Sequence, residues 1–335
     1  MKIAERQPLT TIFDVQSIDR NRVRWEDYLF KQTPVEKHGG IYFKREDKFA
    51  PLGFGSINGS KLRQCIWLVD QWVKDKNIRG VVSGSVVGSP QHPFIASICK
   101  HYRIGCLIAT GAKNYLSHQN MSMADKLGAK FHVTNIGYAK ALQSISFKLS
   151  KRLPNHEVLE TNITVDEKLN PPSRIEAFHR IGAEQAKNIP DDVETIIIPC
   201  GSCNSVVSIL YGIGLFKPKR LKNIVLMGIG NNGSNNLDYI PRRLNIISKV
   251  KGLDLNPLFK FDGEKGDYNI HHFNLNGSGF CQYSDLMPYN HAGIEFHPRY
   301  EGKCMNYIFK NKSLFTQFWN EKTLFWIIGN EPTWV

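Results

Sequence analysis

The sequence lacks any long hydrophobic run, and none of its apolar stretches approaches the ~20 residues that a transmembrane helix needs. Its beginning, MKIAERQPLTTIFDV, also lacks the apolar core of a secretory signal peptide. Hydrophobic residues make up 41% and charged residues 22% of the chain, which is ordinary for a folded globular protein. These features predict a cytoplasmic protein without a membrane partner.

Cysteine is scarce, because the 335 residues contain only seven, an odd number spread thinly along the chain. That distribution argues against a disulfide framework and favours core thiols in a reducing compartment. Cys200 and Cys203 have the CxxC spacing of a redox or zinc half-site, but no second pair follows at zinc-ribbon spacing. No metal centre is therefore predicted. The sequence has no internal repeat and no low-complexity tract.

Acidic residues are fewer than basic ones. The chain has 30 aspartates and glutamates against 43 lysines and arginines, which gives a formal net charge of +13. A polyanionic substrate or a nucleic-acid partner would explain this excess. A basic, solvated surface explains it equally well. The basic residues form local clusters at Lys217, Lys219, Arg220 and Lys222, at Arg242 and Arg243, and at Lys249 and Lys251.

Strands alternate with helices along most of the chain, which predicts an α/β protein with mostly parallel sheets flanked by helices. The length suits two domains. Residues 1–40 and 231–290 are less regular and richer in polar residues. The predicted strands are 41–44, 80–83, 106–109, 130–133, 194–198, 223–228 and 324–329, and the predicted helices cover 62–73, 93–101, 120–127 and a segment after 205.

One candidate site is Lys61, which follows a loop rich in Gly, Pro and Ser at residues 51–60 and opens a predicted helix. A lysine that forms a Schiff base with a carbonyl compound must be partly deprotonated, and a desolvated helix start favours this. Taken alone the signal is weak, because most lysines at helix starts are simply solvated.

Two further segments carry candidate chemistry. Residues 198–205, Ile-Pro-Cys-Gly-Ser-Cys-Asn-Ser, run from a buried strand through small residues into a helix, an arrangement that binds phosphate but also occurs in ordinary turns. Residues 297–303 place Tyr300 beside Glu301, which suits acid–base work or cofactor tuning. A solvated helix start is the plain alternative for this second segment.

The order and spacing of these segments resemble the fold-type II enzymes that depend on pyridoxal 5'-phosphate (PLP) and are related to tryptophan synthase β. The chain is most similar to the branch of 1-aminocyclopropane-1-carboxylate deaminase and D-cysteine desulfhydrase. The resemblance is carried by Lys44-Arg45-Glu46-Asp47, Gly59-Ser60-Lys61, Ser83 to His92, Gly201 to Ser205, Gly293 to Lys303 and Leu324-Phe325-Trp326.

The resemblance implies a role for each matching residue. Lys61 would hold PLP as a Schiff base and later move the Cα proton, so that Lys61, Tyr300 and Glu301 form the catalytic group. Glu301 would lie near the pyridine nitrogen and Tyr300 near the substrate. The phosphate would be bound by Gly201, Ser202, Cys203, Asn204 and Ser205, and the substrate carboxylate by Ser89 and Gln91.

The same resemblance implies the architecture. Residues 62–165 would form a small α/β domain, and residues 1–61 together with 166–335 a large PLP-binding domain. The cofactor would lie between them, and the protein would be a homodimer.

The match departs from the family pattern around the substrate. Pro90 stands where the family has an asparagine that hydrogen-bonds the cofactor ring, and Cys203-Asn204 replaces two glycines. His297 replaces an aspartate, and Ile327-Ile328-Gly329-Asn330 replaces the closing His-Thr-Gly-Gly. These changes predict that PLP binding is kept while the substrate differs.

The reaction predicted is therefore a lyase reaction that breaks a Cα bond of a non-standard amino acid, by decarboxylation, elimination or deamination. Enzymes of this branch also occur in viral DNA-hypermodification systems, where they act on amino acids joined to thymine. Membership of that group would place the protein in the host cytoplasm with a DNA-linked substrate. Two alternatives stay open: a deaminase or desulfhydrase of a small free amino acid, and a non-catalytic binding protein on a decayed PLP scaffold.

Overall fold

A computed structural model describes residues 28–335 except 54, 112, 162, 230–236, 262–265 and 330. The predictions made for residues 1–27 and for Asn330 lie outside the described residues. The described strands are β1 Val35–His38, β2 Ile41–Arg45, β3 Gly80–Gly84, β4 Gly105–Thr110, β5 Lys130–Val133, β6 His156–Leu159, β7 Thr195–Cys200, β8 Asn223–Gly228, β9 Phe259–Phe261, β10 Tyr268–Asn274, β11 Tyr289–His291, β12 Ile294–Phe296 and β13 Thr323–Ile327. The described α-helices are α1 Leu62–Lys76, α2 Gln91–Tyr102, α3 Gln119–Lys126, α4 Ala139–Ser150, α5 Pro172–Ala183, α6 Asn204–Phe216, α7 Tyr239–Lys251, α8 Glu301–Lys310 and α9 Lys312–Phe315.

The larger sheet has the strand order β1-β2-β13-β7-β8-β10-β9. Its strands pair in parallel except β1, which pairs antiparallel with β2. Every residue of β7 is buried, and its Ile196-Ile197-Ile198 run has the continuous apolar character of a parallel strand covered on both faces. Helix α6 follows β7 and is also largely buried. The pair therefore forms one rigid strand–turn–helix unit in the core.

The smaller sheet has the order β5-β4-β3-β6 and is wholly parallel. Strands β3 and β4 are buried along their whole length. Helix α1 presents Leu62, Cys65, Ile66 and Val69 to the same core, in the spacing of one helix face. It ends at Asn77, whose φ of 50° is the left-handed conformation common at helix ends.

The predicted α/β class and mostly parallel sheets are confirmed. The strands of the smaller sheet fall within residues 80–159, inside the range predicted for the small domain, although the domain boundaries themselves stay a prediction. All seven cysteines are buried free thiols, as expected. Among the described residues, no helix combines the length and apolar character needed to cross a bilayer.

Some regular structure lies where the sequence indicated little. Strand β1 falls within residues 1–40, and α7 and β10 fall within 231–290. Strand β10 has the sequence Tyr-Asn-Ile-His-His-Phe-Asn, whose polar residues interrupt the apolar pattern typical of a buried strand. It nevertheless pairs with β8 along six residues. The last predicted strand is also too long, since β13 ends at Ile327.

Candidate active site

A cavity of about 620 Å³ is lined from both sheets. The segment after β3 supplies residues 85–91, and the end of β7 with the turn after it supplies residues 199–203. Ligand sites of parallel sheets lie at these carboxyl ends. Of the residues predicted for the site, the cavity wall contains Lys61, Ser89, Gln91, Gly201, Ser202, Cys203, Ser205 and Tyr300. Asn204 and Glu301 lie behind it.

Lys61 is placed by the turn that begins α1. The amide of Leu62 donates to the Gly59 carbonyl at 3.2 Å, and the Lys61 carbonyl accepts from the amide of Cys65 at 3.1 Å. A Cβ atom at Gly59 would lie 2.2 Å from the Phe94 ring, so only glycine lets this loop approach α2 so closely. The Lys61 side chain reaches the cavity, where Nζ lies 5.5 Å from the centroid of the Tyr300 ring.

The turn between β7 and α6 is the segment predicted to bind the cofactor phosphate. Among the described residues, no protein acceptor pairs with the backbone N–H groups of Ser202, Cys203 and Ser205, which lie at the N-terminal end of a 13-residue helix. Cys203 has φ 63° and ψ 0°, a left-handed conformation that turns the chain into the helix. A Cβ atom at Gly201 would meet nothing within 4 Å. These amides and the helix dipole together suit a phosphate.

Asn204 differs from its neighbours in this turn. Its side chain is buried, and Oδ1 accepts hydrogen bonds from the hydroxyls of Tyr239 and Thr164, while Nδ2 lies 3.5 Å from the Ile163 carbonyl. The side chain thus ties α6 to α7 and to the segment before α5. A phosphate in this turn would therefore meet the backbone of Asn204 rather than its side chain.

The side chain of Gln91, predicted to bind the substrate carboxylate, is engaged with the protein. The Gln91 side-chain nitrogen donates to Ser83 Oγ at 3.1 Å, to the Leu159 carbonyl at 3.3 Å and to the Glu160 carbonyl at 3.1 Å. Gln91 therefore joins β3 to β6 and has no spare amide proton for a substrate. Ser89 lines the cavity, but its hydroxyl accepts the Gln91 amide at 3.3 Å.

Glu301 begins α8 and is fully buried. Its Oε1 accepts the amides of Ile328 at 2.9 Å and Gly329 at 2.6 Å. Its Oε2 has no hydrogen-bond partner among the described residues. Gly329 is part of the cavity wall, and a Cβ atom there would lie 2.8 Å from Oε2, so the carboxyl group lies directly behind the wall. Burial raises the pKa of Glu301 to about 8, against the opposing effect of the backbone hydrogen bonds.

Sequence reasoning assigned no role to two residues that line the cavity, Tyr283 and Arg299. The Tyr283 hydroxyl lies 3.4 Å from that of Tyr300, and burial raises its pKa above the ordinary range for a phenol. Tyr283 lies in the irregular region 231–290, where no pattern singled it out. Arg299 stood inside the quoted motif, and its charge next to Tyr300 was the signal that could have revealed it.

These residues fit PLP. A lysine amine lies within the cavity for the cofactor aldehyde, and unpaired amides at a helix N-terminus suit its phosphate. The buried Glu301 Oε2, which lacks a partner among the described residues, suits its ring nitrogen. No two of these features share a segment of chain.

Comparison with known proteins identifies one relative of substantial identity. No protein-family model matches the chain. It is 37% identical over 377 residues, 97% of this chain and 88% of the relative, to the O-seryl-dTMP PLP-dependent decarboxylase of Salmonella phage ViI.

Several solved structures share the fold at low identity. An ACC deaminase homologue has a TM-score of 0.66 at 14% identity and covers 97% of this chain and 95% of its own. The O-acetylserine dependent cystathionine beta-synthase of Helicobacter pylori has a TM-score of 0.54 at 12% identity, covering 92% and 95%. The fungal L-serine ammonia-lyase of Rhizomucor miehei has a TM-score of 0.52 at 11% identity, covering 90% and 95%.

The fold is that of the fold-type II PLP enzymes, as the sequence motifs predicted. Within that class, the chain belongs to the family of the phage PLP-dependent decarboxylase, which it matches over nearly its whole length. It is a PLP-dependent lyase acting on an amino-acid substrate, and the alternative of a non-catalytic scaffold is set aside.

Proposed function

We propose that this protein removes the α-carboxylate of a serine-derived amino acid that is joined through its side-chain oxygen to thymidylate. The observation that carries the proposal is the 37% identity to the O-seryl-dTMP decarboxylase over 97% of the chain. The cavity supports it, since about 620 Å³ accommodates a ligand much larger than a free amino acid.

PLP, when bound, supplies an electron sink for the bond that breaks at Cα. We assign its phosphate to the backbone amides of Ser202, Cys203 and Ser205, and its ring nitrogen to Glu301. A carboxyl group whose pKa is raised to about 8 holds a proton at Oε2 near neutral pH and can share it with that nitrogen. Lys61 Nζ, above the Tyr300 ring, delivers the proton that replaces the lost carboxylate at Cα.

The altered loop at residues 89–91 supports a changed substrate. Pro90 has no N–H group, and the side-chain nitrogen of Gln91 is engaged with three acceptors of the protein. A small free amino acid would depend strongly on a carboxylate grip at this loop. A nucleotide-linked amino acid gains binding from its base and sugar as well.

The net charge contributes less to the proposal than its size suggests. Lys217 follows the last residue of α6, about 20 Å along the helix from the end that lines the cavity. Arg243 is buried and donates to the Val165 carbonyl at 2.6 Å, and Lys222 pairs with Glu194. We propose a DNA-linked substrate because of the relative's nucleotide substrate rather than because of these clusters.

The test uses PLP-loaded protein with O-seryl-dTMP and with duplex DNA that carries the same base, followed by mass spectrometry of the nucleosides. Loss of CO₂ from the seryl group supports the proposal. If this loss occurs only with duplex DNA, the polymer is the substrate. Release of ammonia or of the thymine-linked alcohol, with no loss of CO₂, would contradict decarboxylation. Lys61→Ala protein is the matched control.

We propose the remaining organisation on the strength of the family resemblance. Residues 62–165 would form the small domain, and residues 1–61 with 166–335 the large one. The protein would be a homodimer in the host cytoplasm, in keeping with a phage relative. Light scattering on the purified protein measures the dimer, and a monomer mass at micromolar concentration would rule it out.

A further inference from the structure

The formal charges on the described cavity wall are all positive. Among the described residues that line it, Lys61 and Arg299 carry positive charge and none is an aspartate or glutamate. Lys61 is committed to the cofactor aldehyde, and the α6 amides are committed to the cofactor phosphate. Arg299 is thus the cation that this wall leaves for a substrate.

The backbone around Arg299 is held rigidly. The Arg299 amide donates to His297 Nδ1 at 3.1 Å, and the Tyr300 amide donates to the His297 carbonyl at the same distance. The Pro298 carbonyl accepts the amide of Met287 at 2.9 Å. These bonds fix the backbone on both sides of the arginine, so the point from which its side chain enters the cavity is set before a ligand binds.

No carboxylate of the described chain pairs with the Arg299 guanidinium within 4 Å. Glu331 is the acid whose pKa Arg299 helps to lower, but its carboxylate is already held. Its Oε1 lies 3.0 Å from His297 Nε2, and its Oε2 accepts Asn120 Nδ2 at 3.1 Å. Arg299 is half-buried at the cavity, and no ion pair with a described residue neutralises it there.

The three residues expected at the substrate carboxylate, 89–91, have no charged group, and their backbone amides are engaged or missing. The Ser89 amide donates to the Val86 carbonyl at 2.9 Å, and the His92 amide to the Ser89 carbonyl at 3.3 Å. The Gln91 amide donates to Ser89 Oγ at 3.3 Å. Pro90 has no amide proton. These three residues offer the α-carboxylate no positive charge, so a charged partner for it must come from elsewhere in the wall.

We propose that Arg299 binds the α-carboxylate of the substrate and is a specificity-determining residue. A guanidinium offers two parallel N–H donors to a carboxylate, which holds the group in one plane as well as neutralising it. Orientation of that plane decides which Cα bond lies perpendicular to the cofactor ring and breaks. The inference needs an amino-acid substrate but not the thymidylate of the proposed function.

The experiment is a spectral titration of PLP-loaded protein with two amines that differ only in the carboxylate, O-methyl-L-serine and 2-methoxyethylamine. Arg299→Gln is expected to weaken binding of O-methyl-L-serine about 10- to 100-fold. It should change the affinity for 2-methoxyethylamine less than about twofold, since that amine has no carboxylate. Arg299→Lys should recover part of the loss, because it keeps the charge without the paired donors. Arg152→Gln, an exposed arginine, is the matched control.

Equal weakening of both amines, or no change for either, would overturn the assignment of the carboxylate to Arg299. A loss seen only for ligands with a 5'-phosphate would move Arg299 to the nucleotide and overturn it too. Unaltered cofactor absorbance shows that Arg299→Gln protein is folded and loaded. If carboxylate selectivity follows Arg299 while O-seryl-dTMP keeps its carboxylate, the proposed substrate fails and this inference stands.

Discussion

Lys61 Nζ lies 5.5 Å from the centroid of the Tyr300 ring, which brings the start of α1 against the start of α8. Tyr300 is nearly enclosed, and burial raises the pKa of its phenol above the ordinary value. Its hydroxyl meets that of Tyr283 at 3.4 Å. The amine that we propose carries the cofactor thus faces an aromatic ring with a protonated hydroxyl, in a wall without acidic residues among those described.

Replacement of Lys61 by alanine should abolish the visible absorption band of the PLP-loaded protein. The amine that forms the Schiff base is then missing, while the phosphate contacts stay in place. Absorption spectra before and after borohydride reduction measure this, together with a peptide map of the reduced adduct. Lys100→Ala, at an exposed position of α2, should keep the band. A band that survives in Lys61→Ala protein would assign the Schiff base to another lysine.

Gly201→Val should lower PLP affinity by tenfold or more, with about 0.5 kcal/mol or less of change in the free energy of unfolding of the cofactor-free protein. The added Cβ meets no atom within 4 Å, so the protein accepts it, but the valine methyl groups enter the space assigned to the phosphate. Fluorescence titration with PLP and urea denaturation give the two quantities. A variant that binds PLP normally would place the phosphate elsewhere.

The cofactor-free protein should lose stability as the pH rises from about 4.5 to about 8. Burial raises the pKa of Glu301 to about 8, so the folded chain keeps a proton that the unfolded chain releases near 4.5. Between these values the free energy of unfolding falls by up to about 1.4 kcal/mol for each pH unit. Below 4.5 the contribution is fully present, and above 8 it is lost.

Glu301→Gln isolates this contribution, because glutamine can still accept the amides of Ile328 and Gly329 but does not titrate. Urea denaturation across that pH range measures the free energy of unfolding of both proteins. The wild type should become steadily less stable relative to the variant as the pH rises. PLP should reduce the slope in wild type, since its ring nitrogen gives Oε2 a partner. A difference that is flat with pH would refute the buried, protonated carboxyl.

Gln91→Leu should destabilise the protein by about 1–3 kcal/mol, because three acceptors near the smaller sheet each lose one hydrogen bond that leucine cannot replace. Ser89→Ala, two residues away on the same loop, should cost much less, since its hydroxyl accepts only one long hydrogen bond. Thermal and urea denaturation compare the two. If Gln91→Leu leaves stability unchanged and only raises KM, the residue contacts substrate as the sequence predicted.

Much of the fold could be predicted from the sequence because its central strands are uninterrupted apolar runs. Strand β8 matches its prediction residue for residue, whereas β7 begins one residue later and ends two residues later than predicted. Strand β10 could not be predicted in this way, since it owes its place to pairing with β8 rather than to its own composition.

The sequence motifs bring several predicted site residues to one cavity, but the directions of their side chains could not be predicted. Lys61, Tyr300 and the turn at 201–205 meet at one cavity, as the motifs indicated. The inward amide of Gln91 could not be predicted, because its acceptors lie on segments far away along the chain. The same holds for Glu301, whose partners belong to the segment after β13.

Strand β13 lies in the middle of the larger sheet, between β2 and β7, yet it follows every other described strand along the chain. The residues just after it close the cavity at Ile328 and Gly329 and hold Glu301. During synthesis on the ribosome, β2 and β7 therefore emerge with a gap between them that stays unfilled until residues 323–327 have been made. The proposed cofactor site can be completed only at that late stage, so a ribosome that stalls earlier leaves a chain with two open sheet edges and without the amides that hold Glu301.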